Sequence, residues 1–154
     1  MSTWITRVLC FVPALFGGLV ATLLGLTCGA VHRASPYVGV HLVLVPEGAW
    51  LARAWRYSTT FGYTVLVHPD AQKPENTQRV VAHELIHVRQ FELCGVFYAL
   101  VLFVSGFDVV LLAAWPFCWL FYYLCAGAIA VWNGADPYRG NVLEHHAYGM
   151  QDRE

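Results

Sequence analysis

The chain has 154 residues, of which 58% are hydrophobic and 12% charged, and its formal net charge at pH 7 is −1. A typical soluble domain of this size is about half apolar and about a quarter charged, so the composition argues against an ordinary soluble domain. The chain also lacks the basic clusters that mark a nucleic-acid-binding protein, so nucleic acid is not an expected partner.

The apolar residues concentrate in two blocks. The first, Val8–Val31, holds 24 residues without a charge, enough for a helix to cross a bilayer. It is too long for a secretory signal, whose apolar core is about 7–15 residues, so we expect residues 1–32 to form a retained transmembrane anchor. The second block, Leu93–Trp132, contains Asp108 as its one charge. Membrane lipid is therefore an expected partner.

The segment between the blocks predicts two strands and a short helix. The stretch "YVGVHLVLV", Tyr37–Val45, is rich in β-branched residues, and "FGYTVLVH", Phe61–His68, has a similar composition. We expect "GYTVLV" within the second to be an edge strand along which an extended peptide pairs. Between the strands, "EGAWLARAWRYS" carries tryptophans at helical spacing and predicts a short amphipathic helix.

A long helix is predicted to begin near Pro74, because proline is favoured in the first turn of a helix. Its apolar positions keep helical spacing, and nothing stops it before the second apolar block. A turn at Ser105–Asp108 would make that block a helical hairpin and keep Asp108 near water. The alternative is a bend at Trp115–Pro116, which would leave the carboxylate at membrane depth, where a charge is costly. The first arrangement is favoured.

The predicted helix carries the motif His83-Glu84-Leu85-Ile86-His87. Residues four apart lie on one face of a helix, so His83 and His87 can share a metal ion. Glu84 lies one position further round, where it can reach a water molecule bound to that metal. This arrangement is typical of hydrolysis assisted by Zn²⁺, with Glu84 as general base.

A catalytic zinc site has three protein ligands and an open position, so a third ligand is needed. The candidate is Glu144, which lies in the polar tail 133–154 with His145 and His146 beside it. A helix from His87 to the predicted turn, followed by a returning helix of similar length, brings the tail back to the level of the histidines.

Two segments, "VVAHELIHVRQFELCG" and "DPYRGNVLEHHAYG", resemble small bacterial proteins with the pattern HExxHVRQYExxG, an apolar stretch and then YRxNPFExEAY. More broadly they resemble the gluzincin type of zinc metallopeptidase. The resemblance implies His83, His87 and Glu144 as zinc ligands and Glu84 as general base. Tyr148 occupies the place where membrane gluzincins often have an aspartate, and it could hydrogen-bond a ligand or the oxyanion.

Four further residues match the pattern of those bacterial proteins. We expect them to tie the motif helix to the tail by hydrogen bonds rather than to act in catalysis. They are Arg89, Gln90, Arg139 and Asn141.

The expected fold is a mainly α membrane protein with a small α+β zincin-like core. An N-terminal transmembrane helix is followed by short strands and by the HExxH helix, which continues into the apolar hairpin. In domain terms, 1–32 is the anchor and 33–154 the zincin-like domain, including the hairpin 93–132 and the ligand segment 133–154.

The expected function is that of an integral-membrane zinc metallopeptidase acting on a peptide or protein substrate. Arg7 precedes the first apolar block and the other eight of the nine Lys and Arg residues follow it, so the zinc site is expected to face the cytoplasm of a bacterial inner membrane. The alternatives are a non-catalytic membrane protein stabilised by zinc, and a structural or interaction protein that binds no metal.

Overall fold

The computed structural model describes residues 4–35, 39–55 and 57–151. The described part is mainly helical and has one small mixed sheet. Its helices are α1 (Trp4–Leu9), α2 (Phe11–Cys28), α3 (Trp50–Ala54), α4 (Pro74–Val104), α5 (Val109–Ala114), α6 (Cys118–Trp132) and α7 (Val142–Gln151), with short 3₁₀ turns at Pro69–Gln72 and Trp115–Phe117.

The sheet has four strands in the described residues, in the order β1-β2-β4-β3. β2 and β4 pair in parallel, whereas β1 and β3 each pair antiparallel to their neighbour. All residues of β4 are buried, as expected for a central strand, and all residues of β1 are exposed. The strands are β1 (Val31–Ala34), β2 (His41–Leu44), β3 (Thr59–Phe61) and β4 (Thr64–Val67).

The strand predictions were partly correct. β2 lies within the predicted strand Tyr37–Val45, whose residues 37 and 38 fall outside the described part. The single strand predicted for Phe61–His68 is wrong, because β3 ends at Phe61 and β4 begins at Thr64. Gly62, with φ of 64°, adopts the left-handed conformation that a tight turn requires. "GYTVLV" is accordingly not an edge strand, since β4 lies between β2 and β3.

α2 packs on the sheet through small residues spaced four apart. A Cβ atom at Gly17 would lie 3.0 Å from the backbone of Phe61, and one at Gly25 would lie 2.8 Å from Val43 Cγ1. Ala21, between the two glycines, is fully buried. Small side chains therefore let the helix approach the sheet closely, while large apolar residues of α2 such as Leu19 stay exposed.

The long helix confirms its predicted start and course, because α4 begins at Pro74 and ends at Val104. The favoured turn at Ser105–Asp108 is also confirmed. Gly106 and Phe107 there have positive φ angles of 68° and 60°, and the Asp108 side chain accepts hydrogen bonds from the first turn of α5. The alternative position, Trp115–Pro116, holds the 3₁₀ turn that joins α5 to α6.

The two arms of the hairpin contact each other in antiparallel fashion. The Tyr98 hydroxyl donates a hydrogen bond to the Leu111 carbonyl at 2.8 Å. Further from the turn, the rings of Phe91 and Trp119 meet edge to face with centroids 6.5 Å apart. The apolar block is therefore a helical hairpin, as predicted.

Three helical segments of the described chain are long and apolar enough to cross a membrane. They are Phe11–Cys28, Asn76–Val104 and Val109–Trp132. The chain forms two compact units, one comprising Ala14–Val88 and the other Met1–Pro13 with Arg89–Glu154.

Candidate metal centre

His83 and His87 lie one turn apart on α4, and both are buried. Helical periodicity places them on the same face. Their Nε2 atoms are 3.2 Å apart, and the ring centroids are separated by 4.8 Å. The two imidazoles thus direct nitrogen atoms at one point, away from bulk solvent.

Glu84 is also buried, with 4% of its surface exposed. The hydroxyl of Thr60, a buried residue of β3, donates a hydrogen bond to Glu84 Oε2 at 2.6 Å. This distance lies at the short end of the range for O–H···O hydrogen bonds. The sheet therefore holds the carboxylate that lies next to the histidine pair along α4.

Glu144 lies in the first turn of α7, where the helix dipole favours a negative charge, and it is 3% exposed. Its Oε1 atom accepts a hydrogen bond from the Tyr123 hydroxyl at 2.7 Å. Asn141, fully buried, precedes the helix and accepts a hydrogen bond from the Leu143 backbone N–H at 2.9 Å. This is the bond of an N-cap residue, and it fixes the start of α7.

Ligand atoms from His83, His87 and Glu144 all lie within 4.8 Å of one another, and all three residues are buried. Such a group could hold a metal ion. It is the one group of this kind among the described residues. The three residues predicted as ligands are therefore brought together, although Glu144 lies 57 positions after His87 in the sequence.

No protein-family model matches the chain, and no curated protein or solved structure matches it significantly. The gluzincin resemblance of the two motif segments therefore stays a prediction.

Tyr148 is 44% exposed and shares a side-chain hydrogen bond with Tyr138. Burial raises the pKa of the Tyr138 hydroxyl well above its usual range, and the negative charge of Glu144 adds to the rise. The Tyr138 phenol is therefore neutral at physiological pH. Tyr148 thus lies beside a neutral phenol, and its assignment as a catalytic residue stays a prediction.

Gln90 joins the motif helix α4 to the C-terminal segment by a hydrogen bond, as predicted. Its side-chain amide donates a hydrogen bond to the Leu143 carbonyl at 2.9 Å and lies 3.1 Å from His146 Nδ1. His145 and His146, which directly follow Glu144 in the sequence, are both exposed. Residues of α4 beyond the motif are thereby bonded to α7.

Sequence reasoning missed two residues that contact the carboxylates, Thr60 and Tyr123. Thr60 lies 24 residues before Glu84, and Tyr123 lies 21 residues before Glu144. For Tyr123 a signal was present, because a phenol within an apolar block needs a hydrogen-bond partner once it is buried. For Thr60 the sequence offered no such signal.

Proposed function

We propose that this protein is an integral-membrane zinc metallopeptidase with a site of the HExxH-plus-glutamate type. The observation that carries the proposal is the buried group of His83, His87 and Glu144, with a further buried carboxylate, Glu84, next to the first histidine. The resemblance of the two motif segments to gluzincins supports the same assignment.

The donor set suits zinc. Two imidazoles and one carboxylate, with a position left open, form the ligand set of several catalytic zinc sites. Two nitrogens at about 2.0–2.1 Å from a tetrahedral ion are about 3.3 Å apart, and the Nε2 atoms of His83 and His87 are separated by 3.2 Å. The histidines therefore need little movement to bind one.

When bound, zinc supplies Lewis-acid activation of a water molecule and of the scissile carbonyl. Glu84 is the general base, and its carboxylate takes the proton of the attacking water and delivers it to the leaving amine. Thr60 holds one oxygen of that carboxylate at 2.6 Å. Burial keeps bulk water from the carboxylate, which strengthens its electrostatic interactions.

The peptide substrate is proposed to pair with β3. In the described residues β3 is an edge strand of the sheet, and its residue Thr60 contacts Glu84. An extended peptide added to this edge by main-chain hydrogen bonds would run beside the general base. β3 thus replaces β4 as the strand proposed for substrate binding.

Membrane lipid is the proposed environment of the hairpin. Large apolar side chains on its first arm are exposed, including Leu93, Phe97 and Phe103, at 72%, 67% and 70%. Soluble proteins rarely expose contiguous apolar patches of this kind. Since eight of the nine Lys and Arg residues follow the first apolar block, the proposed site faces the cytoplasm, in a bacterial inner membrane.

The test is a metal assay combined with a hydrolysis assay on the full chain purified in detergent. Elemental analysis is expected to give one zinc per chain, and His83→Ala or His87→Ala is expected to lose it. Glu84→Gln is expected to keep the zinc and lose peptide hydrolysis, whereas Glu47→Gln, at an exposed glutamate, keeps both.

Absence of stoichiometric metal would reject the metal centre. Zinc that is retained without any hydrolysis by the unaltered chain would favour the non-catalytic alternative. Hydrolysis that survives in Glu84→Gln would reject the role of Glu84 as general base.

A further inference from the structure

Tyr123 is a phenol in the middle of the apolar helix α6. Its ring packs near that of Trp119, with centroids 6.2 Å apart. Placing a hydroxyl in such surroundings is costly unless it makes a hydrogen bond. The bond it makes is to a residue of the candidate metal centre.

The Tyr123 hydroxyl donates to Glu144 Oε1 at 2.7 Å, and Glu144 is 3% exposed. A second contact involves the backbone of the same tyrosine, whose carbonyl accepts a hydrogen bond from Asn141 Nδ2 at 3.4 Å. Asn141 in turn caps α7. One residue of α6 therefore contacts both the cap of α7 and the carboxylate in its first turn.

We propose that Tyr123 is a positioning residue that sets the orientation of the Glu144 carboxylate toward the metal. The terminal torsion of a glutamate is broad, so a carboxylate without a fixed partner samples many orientations. A donor on Oε1 restricts that torsion and favours binding of the metal through the other oxygen. The inference rests on the metal-binding part of the proposed function.

Hydrogen-bond partners of metal ligands have measurable effects, and their loss typically lowers metal affinity by about 10–100-fold. Tyr123→Phe removes the hydroxyl while keeping the ring and the backbone carbonyl that Asn141 contacts. The neighbouring residue offers a matched control, because Tyr122 is a tyrosine of the same helix and is 47% exposed. Tyr122→Phe makes the same chemical change one position away.

The experiment measures zinc affinity of the full chain in detergent by competition with a chromophoric chelator. Tyr123→Phe is expected to bind zinc about 10–100-fold more weakly, and Tyr122→Phe to bind it like the unaltered chain. The second readout is the visible absorption of the Co²⁺-substituted protein, which reports ligand geometry. Tyr123→Phe is expected to shift these bands, and Tyr122→Phe to leave them in place.

Unchanged affinity in Tyr123→Phe would overturn the inference, and so would weakened affinity with an unchanged Co²⁺ spectrum. Glu144→Gln separates this failure from failure of the metal centre itself. If Glu144→Gln weakens zinc binding while Tyr123→Phe does not, Tyr123 alone is misassigned. If Glu144→Gln also binds zinc normally, the proposed third ligand is wrong and the inference about Tyr123 falls with it.

Discussion

The hydrogen bond from Thr60 to Glu84 gives a direct test of how the sheet supports the candidate site. Both residues are buried, with 7% and 4% of their surface exposed, and the donor and acceptor oxygens are 2.6 Å apart. Thr60→Val keeps the size and branching of the side chain but removes the donor. The carboxylate then loses one of the groups that compensate its burial.

The cost follows from the charge and burial of the pair. A hydrogen bond to a charged group contributes about 1.5–3 kcal/mol, and a buried acceptor that loses its donor pays the desolvation penalty. Replacing both partners by apolar groups is close to neutral. We therefore expect Thr60→Val to destabilise the chain by about 1.5–3 kcal/mol, and to cost far less when Glu84 is already leucine.

The assay is a double-mutant cycle measured by chemical unfolding in detergent, with a chelator present so that metal binding does not contribute. The four proteins are the unaltered chain, Thr60→Val, Glu84→Leu and the double variant. Thr60→Ser keeps the hydroxyl and should unfold close to the unaltered chain. A coupling free energy below about 0.5 kcal/mol would refute the reasoning, since unconnected sites also deviate from additivity by about that amount.

Three further predictions concern other elements. Gly25→Ala should lower the thermal unfolding temperature, because the added Cβ atom would lie 2.8 Å from Cγ1 of the buried Val43. Gly18→Ala is the control, because its Cβ atom would lie 3.5 Å from Thr64 Oγ1, an ordinary contact distance. This variant should leave the unfolding temperature unchanged or raise it. Asn141→Ala should destabilise α7 by about 0.5–2 kcal/mol through loss of its N-cap, and should weaken zinc binding in the chelator assay. Asp70 accepts a hydrogen bond from Lys73, and this bond, together with the smaller effect of the Lys73 charge, holds the pKa of Asp70 below 3.8. The pairing therefore stabilises the folded state above pH 3.8. This stabilisation is lost as the pH falls through the pKa of Asp70 in the folded state. Lys73→Met should raise the Asp70 pKa toward 3.8 in an NMR titration. The pKa of Asp136, which is lowered mainly by the Arg139 backbone N–H, should not change.

The features that could be predicted from sequence obey local rules. Pro74 begins α4 as a first-turn proline does, and the turn at Ser105–Asp108 lies where the one charge of the apolar block favoured it. The spacing of His83 and His87 specifies their shared face once the segment is helical. These three features needed no knowledge of the tertiary structure.

The failures have a different physical origin. The composition of "FGYTVLVH" is uniformly β-favouring and so predicts one strand, whereas the turn at Gly62 depends on pairing between residues on either side of it. The contacts of Thr60 and Tyr123 with the two glutamates depend on the path of the chain between them. No pattern of apolar spacing encodes which hydroxyl meets which carboxylate.

The bond from Gln90 to the Leu143 carbonyl closes a loop of the chain 53 residues long. The Phe91–Trp119 ring contact lies just beyond it, and the rest of the hairpin extends from there to the turn at Gly106. Each helical turn added to both arms past this contact lengthens the hairpin by about 5.4 Å. Such insertions do not alter the Gln90–Leu143 hydrogen bond or the first turn of α7 beside it. The length of the hairpin is thus set independently of the residues at its base, so it can change without any change in the contacts of Gln90 and Phe91.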